Sequence, residues 1–185
     1  MTERVCVFID GSNFYHLCKD NLKRTDIDIG AFASWLVSPS RTLVRTYYYN
    51  CLGPPDRPEE ARLGQQKFFG VLDHTPYLEV RLGRLVQRDW TCASCKHKES
   101  HWIEKGLDMR IGVDMLSTGA KGLYETAILV SGDGDLAEAV KAVKDLGKHV
   151  EVTAFQKGTS NELIKAADLC RDLTPAHMTQ FFLRT

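Results

Sequence analysis

The chain has no excess of either charge: Lys and Arg number 24 and Asp and Glu number 24 over 185 residues. With no net field to select a polyanion or a membrane surface, any charged partner must be met by a local patch. Long apolar runs are also missing; none approaches the roughly 20 residues that span a bilayer, and no membrane partner is expected. The opening, MTERVCVFID, is too short an apolar stretch for a signal-peptide core and reaches an aspartate at once. A cytoplasmic location is expected. There is no repeat, no low-complexity tract and no linker long enough to divide the chain. A disulfide framework is absent too: Cys6, Cys18, Cys51 and Cys170 are scattered singly, as reduced thiols are.

What is present is a soluble, core-forming composition, 43% hydrophobic and 26% charged, at a length that suits one domain. Short β-branched runs alternate with helical patterns. RVCVFI reads as a strand ending at Asp10, and DGSN as a loop into a short helix through Tyr15 and Leu17. In DIGAFASWLV, Ile29, Phe32, Ala33 and Leu36 recur at helical spacing behind Asp28 as N-cap. TLVRTYYYN is a strand, and Pro58 opens the helix EEARLGQQKFFGVLDH. YLEVRLGRLVQRD alternates as a half-exposed strand, and a polar segment from Thr91 to His101 then interrupts the pattern. GLDMRIGVDMLSTG reads as a helix closed by Gly119, ETAILVS as the most apolar strand, and Leu136, Ala139, Val140 and Val143 as the inner face of the next helix. HVEVTAF is a strand, TSNELIKAADL a helix with a Thr159/Glu162 capping box, and PAHMTQFFLR a final helix. Strands alternating with helices imply βαβ units and a mainly parallel sheet covered on both faces. The expectation is one domain over residues 1–185, with a small polar insertion at about 88–104 and a C-terminal helix at about 175–184.

In such sheets the functional crevice lies beyond the carboxyl ends of the strands. Asp10 ends one strand, and SGDGD places Asp133 and Asp135 after another; Asp108, opening the helix in KGLD, reaches the same edge. Each has an ordinary structural use. Asp135 can cap a helix, Asp133 can serve a turn, Asp10 can brace DGSN, and Asp114 can pair with Arg110 at i, i+4. Asp108 and Asp114 diverge by about 120° around their helix, so Asp108 ranks first. Together, such a cluster repels itself unless it is protonated or a cation neutralises it. Oxygen donors without Cys or His suit Mg²⁺ or Mn²⁺ rather than zinc.

FIDGSNFY, EKGLDMRIGVDML, AILVSGDGDL, GKHVEV and SNELIKAADLC occur in that order. This set resembles the NYN domain of the PIN-like nuclease fold, in its bacterial LabA-like branch. Leu136 stands where the family commonly has an aromatic residue. The resemblance implies a three-layer α/β/α PIN-like domain and a metal-dependent ribonuclease site of one or two divalent cations. Asp10, Asp108, Asp133 and Asp135 would be its catalytic and metal-binding residues, supported by Asn13, Asp114 and Ser131. The implied partner is RNA, single-stranded by preference.

From Arg81 to Arg110, seven Lys/Arg oppose four acids. Arg81, Arg84, Arg88 and Lys105, with Trp90 and Trp102, are the candidate RNA-binding set, weighed against a solvated strand with packed tryptophans. CASCKHKESH offers Cys92, Cys95, His97 and His101 as ligands for a structural Zn²⁺, against an exposed loop with free thiols. Two other functions stand beside the ribonuclease. A non-catalytic RNA-binding or regulatory module would keep the same acids. SGDGDLAEA also resembles the metal loop of haloacid-dehalogenase-like phosphatases, but those need D-x-D on the first strand, where this chain has Asp10, Gly11 and Ser12. A homo-oligomer is left open, as is whether Phe181 and Phe182 pack on their own core or on a partner.

Overall fold

The first strand, β1 (Arg4–Asp10), sets the layering. Val5, Val7 and Ile9 point to one side of it and Cys6 and Phe8 to the other, all without exposed surface. The structure, a computed structural model, describes residues 2–91 and 93–183. After β1 come α1 (Gly11–Leu22), α2 (Ile29–Val37), β2 (Thr42–Cys51), α3 (Glu59–Asp73), β3 (Leu78–Thr91) and β4 (Lys98–Lys105). The chain continues through α4 (Leu107–Ala120), β5 (Thr126–Val130), α5 (Ala137–Asp145), β6 (His149–Phe155), α6 (Asn161–Ala166), β7 (Leu169–Leu173) and α7 (Pro175–Met178).

The seven strands lie in the order β4-β3-β2-β1-β5-β6-β7. Every neighbouring pair is parallel except β3 and β4. Phe14 and Leu17 of α1, Phe32 and Leu36 of α2, and Phe69 and Leu72 of α3 pack on the Val5–Val7–Ile9 side. Ile111 and Met115 of α4, Val140 and Val143 of α5, and Leu163 and Ala166 of α6 pack on the Cys6–Phe8 side. Each large side chain buried this way contributes about 1.5–3 kcal/mol of transfer free energy. The result is an α/β fold with a mostly parallel sheet covered on both faces. The chain winds outward from β1 through β2 and β3, then returns to lay β5 on the other side of β1. The winding reverses between β1 and β5, which opens a crevice at their carboxyl ends.

Several elements differ from their sequence reading, each for a local reason. DGSN is not a loop: Asp10 caps α1, whose first turn begins at Gly11. The polar segment is not structureless, because β4 pairs antiparallel with β3 from Arg84–Lys105 to Thr91–Lys98. This hairpin is exposed along most of both strands, so it carries little apolar alternation. Gly119 does not end α4 but lies within it, where a Cβ would come 2.8 Å from the Tyr124 hydroxyl. α6 is capped by Ser160, whose hydroxyl accepts from the Glu162 and Leu163 amides; Thr159 instead donates to the Phe155 carbonyl at 2.6 Å. The helix also stops earlier than its pattern suggests, because the Asp168 carboxylate accepts the Val150 amide at 2.8 Å and starts the edge strand β7. The C-terminal helix is one turn, α7, followed by a 3-10 turn at Thr179–Phe181. Phe181 packs on Phe32 and Trp35, and the Phe182 ring lies 4.1 Å below the Arg24 guanidinium, so both belong to the chain's own surface and core.

One charge lies deep in the fold away from the crevice. Glu151 on β6 has no exposed side-chain surface; Arg41 Nη1 lies 2.6 Å from one of its oxygens and Arg171 Nη2 3.4 Å from the other. The Arg41 contact is an ion pair whose angle is not that of a hydrogen bond. Removing a partner from a buried pair leaves its charge uncompensated. Arg41→Met should therefore cost about 3 kcal/mol and lower the thermal midpoint by roughly 6–12 °C. Lys141→Met, which opens an exposed pair with Glu138, should move it far less. Equal shifts in the two variants, read by thermal unfolding, would show that the Glu151 cluster carries no such penalty.

Candidate metal centre

Asp10 is the last residue of β1 and only 3% exposed. One of its oxygens accepts the Asn13 amide at 3.0 Å, which caps α1, and the other accepts the Ser131 hydroxyl at 3.1 Å. The Ser131 oxygen in turn accepts the Asp133 amide at 3.1 Å, and the Asn13 side-chain oxygen accepts the Gly132 amide at 2.8 Å. Asn13 and Ser131 thus tie the start of α1 to the loop after β5, with Asp10 between them. Gly132 is required in that loop. An added Cβ would lie 2.3 Å from the Gly158 carbonyl oxygen, a backbone atom with little room to yield.

Asp133 caps the 3-10 turn Gly134–Leu136 by accepting the Asp135 amide at 3.0 Å. Asp108 stands in the first turn of α4, which follows Gly106 in the left-handed region at φ +75°. One carboxylate oxygen from each of Asp10, Asp108 and Asp133 lies within 4.8 Å of the others. A strand end, a helix start and a loop therefore deliver three acids to one point at the β1/β5 reversal.

The electrostatics of this point are unfavourable as it stands. Burial pushes the Asp10 carboxyl up to about 6; its two hydrogen bonds pull it down, and the charges of Asp108 and Asp133 add to the rise. Burial, then Asp133 and Asp135, raise Asp108 as well. Among the described residues, none of Asp10, Asp108, Asp133 and Asp135 takes part in an ion pair. Hard oxygen donors with uncompensated charge fit a bound cation.

The other sequence candidates divide. Asp135 is exposed in the 3-10 turn and stands outside the close trio, though its charge reaches Asp108. Asp114 is engaged elsewhere: it accepts the Tyr49 hydroxyl at 3.1 Å, pairs with Arg81 Nη1 at 2.5 Å, and lies 3.9 Å from Arg110 Nε. The same contacts hold Arg81, whose guanidinium also lies 4.4 Å from the centre of the Tyr47 ring and pairs with Glu79. Arg81 therefore does not join Arg84 and Arg88 on the opposite face of β3. Pairing places Lys105 across from Arg84 and His101 across from Arg88, so these basic residues share one face of the hairpin with Trp90, which is 54% exposed. Trp102 and Glu104 occupy the other face.

The expected zinc ligands are not assembled in the described residues. Cys92 lies outside them, Cys95 is exposed, and His97 and His101 both turn to the Glu99 carboxylate, at 3.3 and 3.1 Å. Sequence reasoning misses Glu104 altogether. Its carboxylate accepts the Ser12 hydroxyl at 3.1 Å and brings the hairpin to the rim of the centre. The only signal for it was the unrecognised pairing of β4.

The raised Asp10 carboxyl has a consequence for stability. Its unfolded value is 3.8 and its folded value about 6. Well below 3.8, near pH 3, both states are protonated and there is no penalty. Stability then falls as pH rises through the interval, and above pH 6 the full cost is on the order of 2–3 kcal/mol. Asp10→Asn keeps the acceptor that caps α1, so in EDTA at pH 7.5 it should unfold several degrees above wild type and converge with it near pH 3. Saturating Mn²⁺ should raise the wild-type midpoint and leave that of the variant unchanged. A variant less stable than wild type at pH 7.5 in EDTA would show that Asp10 carries no such burden.

Comparison with known proteins agrees with this geometry. The NYN domain model matches residues 4–174. Over 178 residues the chain is 27% identical to the low amplitude and bright protein LabA of Synechococcus elongatus, covering 92% of this chain and 83% of that protein. It also superposes on the crystal structure of a protein of unknown function from Vibrio parahaemolyticus with a TM-score of 0.71 at 23% identity, covering 98% and 97% of the two chains, which is a likeness of fold. A family match across almost the whole sequence, on a PIN-like α/β sheet with an aspartate cluster at its reversal point, establishes that the chain belongs to the NYN domain family.

Proposed function

We propose that this protein is a divalent-metal-dependent ribonuclease that hydrolyses RNA phosphodiester bonds. The observation that carries the reading is the meeting of Asp10, Asp108 and Asp133, from three separate elements, with oxygens within 4.8 Å of one another. These residues would hold Mg²⁺ or Mn²⁺, which when bound supplies water activation and charge neutralisation at a phosphate. The chain's own groups orient the donors. Ser131 and the Asn13 amide fix the Asp10 carboxylate, and the Asp135 amide fixes that of Asp133. Asp135 adds a further negative charge at the rim, where it can meet a second cation. Asp114 acts at one remove, by anchoring Arg81 and with it β3 against α4.

A polyanion brought to three carboxylates also needs cations beside them. Arg84, Arg88 and Lys105, with Trp90 on the same hairpin face, supply charge for phosphates and a ring for stacking. Both features suit single-stranded RNA.

The test is cleavage of a labelled single-stranded RNA. Wild type should cut with Mn²⁺ or Mg²⁺ and stop in EDTA. Loss of a group that orients a metal ligand typically costs about 10–100-fold, so Ser131→Ala should fall in that range and Asp133→Asn beyond it. RNA bound but uncut by wild type at any metal concentration would instead indicate a non-catalytic binding module, and cutting retained by Asp133→Asn would place the site elsewhere.

Binding tests the hairpin independently. With Asp133→Asn protein to prevent cutting, log affinity should fall with log salt. Replacing Arg84 and Arg88 by Ala should reduce that slope by about 1.4, the share of two phosphate contacts on a single strand. An unchanged slope, measured by fluorescence anisotropy, would remove the hairpin face from the binding surface.

A further inference from the structure

Next to the carboxylates, across the Ser12–Glu104 contact, lies a cavity of about 640 Å³ that the metal centre does not use. Its size is that of a small-molecule site. The walls come from α1, the end of β2, α3 and the hairpin. Tyr48 and Phe68 meet edge to face at 5.8 Å on one side, and half-buried Trp102 closes another. The lip is built: Gln65 of α3 donates to the Cys51 carbonyl at 3.0 Å and accepts the Gly53 amide at 2.7 Å, which pins the loop after β2. Arg57 on that loop lines the cavity and forms no ion pair among the described residues. Of the Glu104 oxygens, one takes the Ser12 hydroxyl and the other has no hydrogen-bond partner among the described residues.

We propose that this cavity is a base subsite: it receives one nucleobase of an RNA strand whose backbone crosses the carboxylates, and it selects bases that carry an exocyclic amino group over uracil. The proposal rests on the ribonuclease reading for its substrate class. Aromatic walls suit a flat ring, and stacking on them is indifferent to base identity. Discrimination falls to Glu104, an acceptor in its ionised form. Adenine, cytosine and guanine can each offer it an amino N–H, whereas uracil sets carbonyl oxygens on either side of its one N–H. Arg57 at the lip is placed for an adjoining phosphate, where a guanidinium binds in fork geometry.

The test is an NMR titration of ¹⁵N-labelled protein with AMP, CMP, GMP and UMP in EDTA, so that neither metal nor cleavage enters. Saturable shifts are expected at Ser12, Tyr48 and the Trp102 indole, with CMP bound about tenfold more tightly than UMP. Trp102→Ala should weaken binding of all four by about tenfold. Glu104→Gln, which swaps a pure acceptor for a group that also donates, should bring CMP and UMP to equal affinity. Shifts that map away from the cavity, equal affinities in wild type, or a preference for CMP retained by Glu104→Gln would each overturn the proposal. If the nucleotides fail to bind here while RNA is still cut with metal, the subsite is wrong and the ribonuclease stands. If they bind as described while RNA is never cut, the base subsite stands and the ribonuclease does not.

Discussion

A carboxylate buried at the end of the central strand is the constraint around which this fold is arranged. Asp10 could be neutralised cheaply by a lysine or an arginine, as Glu151 is by Arg41 and Arg171 at the other side of the sheet. Among the described residues it is not, and its direct supports are an amide of α1 and a hydroxyl from the loop after β5, both of which favour the charged form, while burial and two neighbouring acids oppose it. Among the described residues, the two buried acids thus have opposite surroundings, Glu151 compensated within the chain and Asp10 without a cationic partner. That contrast argues more strongly for a cation at Asp10 than the mere proximity of acids does, because clusters of exposed carboxylates need no such explanation.

The supports of Asp10 also explain why the surrounding backbone has so little latitude. Asn13 uses its amide on Asp10 and its side chain on Gly132, while Ser131 donates to Asp10 and accepts from Asp133. Moving any one of these displaces the others. The loop is further wedged against Gly158, which leaves no room for a side chain at position 132. The SGDGD stretch is therefore two features at once. Its first glycine permits close approach of two loops, and its first aspartate turns toward the centre while capping the 3-10 turn that leads into α5. The second aspartate contributes its amide to that cap and its charge to the rim.

Much of this was legible in the sequence, and the parts that were not share a physical cause. β1, β2, β5 and β6 announce themselves because burial on both faces demands runs of β-branched and aromatic residues. The Asp28 cap of α2 was legible for a similarly local reason, since its partner is the Ala31 amide three residues on. β4 and β7 were hidden because they are exposed strands at the two edges of the sheet, where nothing requires an apolar pattern. At the site, Asp10, Asp108 and Asp133 could be proposed from their positions at strand and helix ends. The roles of Arg81 and Asp114 could not. Arg81 reads as a cation for RNA and Asp114 as a partner of Arg110 or a support of the aspartate cluster, and each is instead held chiefly by the other through a contact that only the packing of β3 on α4 creates. Local sequence reports on caps and periodicity; it does not report on pairs made across elements.

The hairpin shows how far that distinction matters for function. Read as a segment, Arg81 to Lys105 is a modestly basic stretch with two tryptophans. Folded, it becomes two surfaces with different chemistry, because strand residues alternate and antiparallel partners share a face. Arg84, Arg88, Lys105 and Trp90 lie together on one side, and Leu85, Trp102 and Glu104 on the other, where they line the cavity beside Asp10. The first surface is basic and exposed and can hold a backbone without reading it. The second is concave, aromatic and tipped with an acid, the chemistry that the proposed base subsite would use to distinguish one ring from another. The strand that separates the proposed phosphate contacts from the proposed base subsite ends one residue before Gly106, and Asp108 follows on α4. Position along this single stretch of chain would therefore couple the proposed grip on the backbone, the proposed fit of a base and one corner of the candidate metal centre. A change in the hairpin's twist would move all three together.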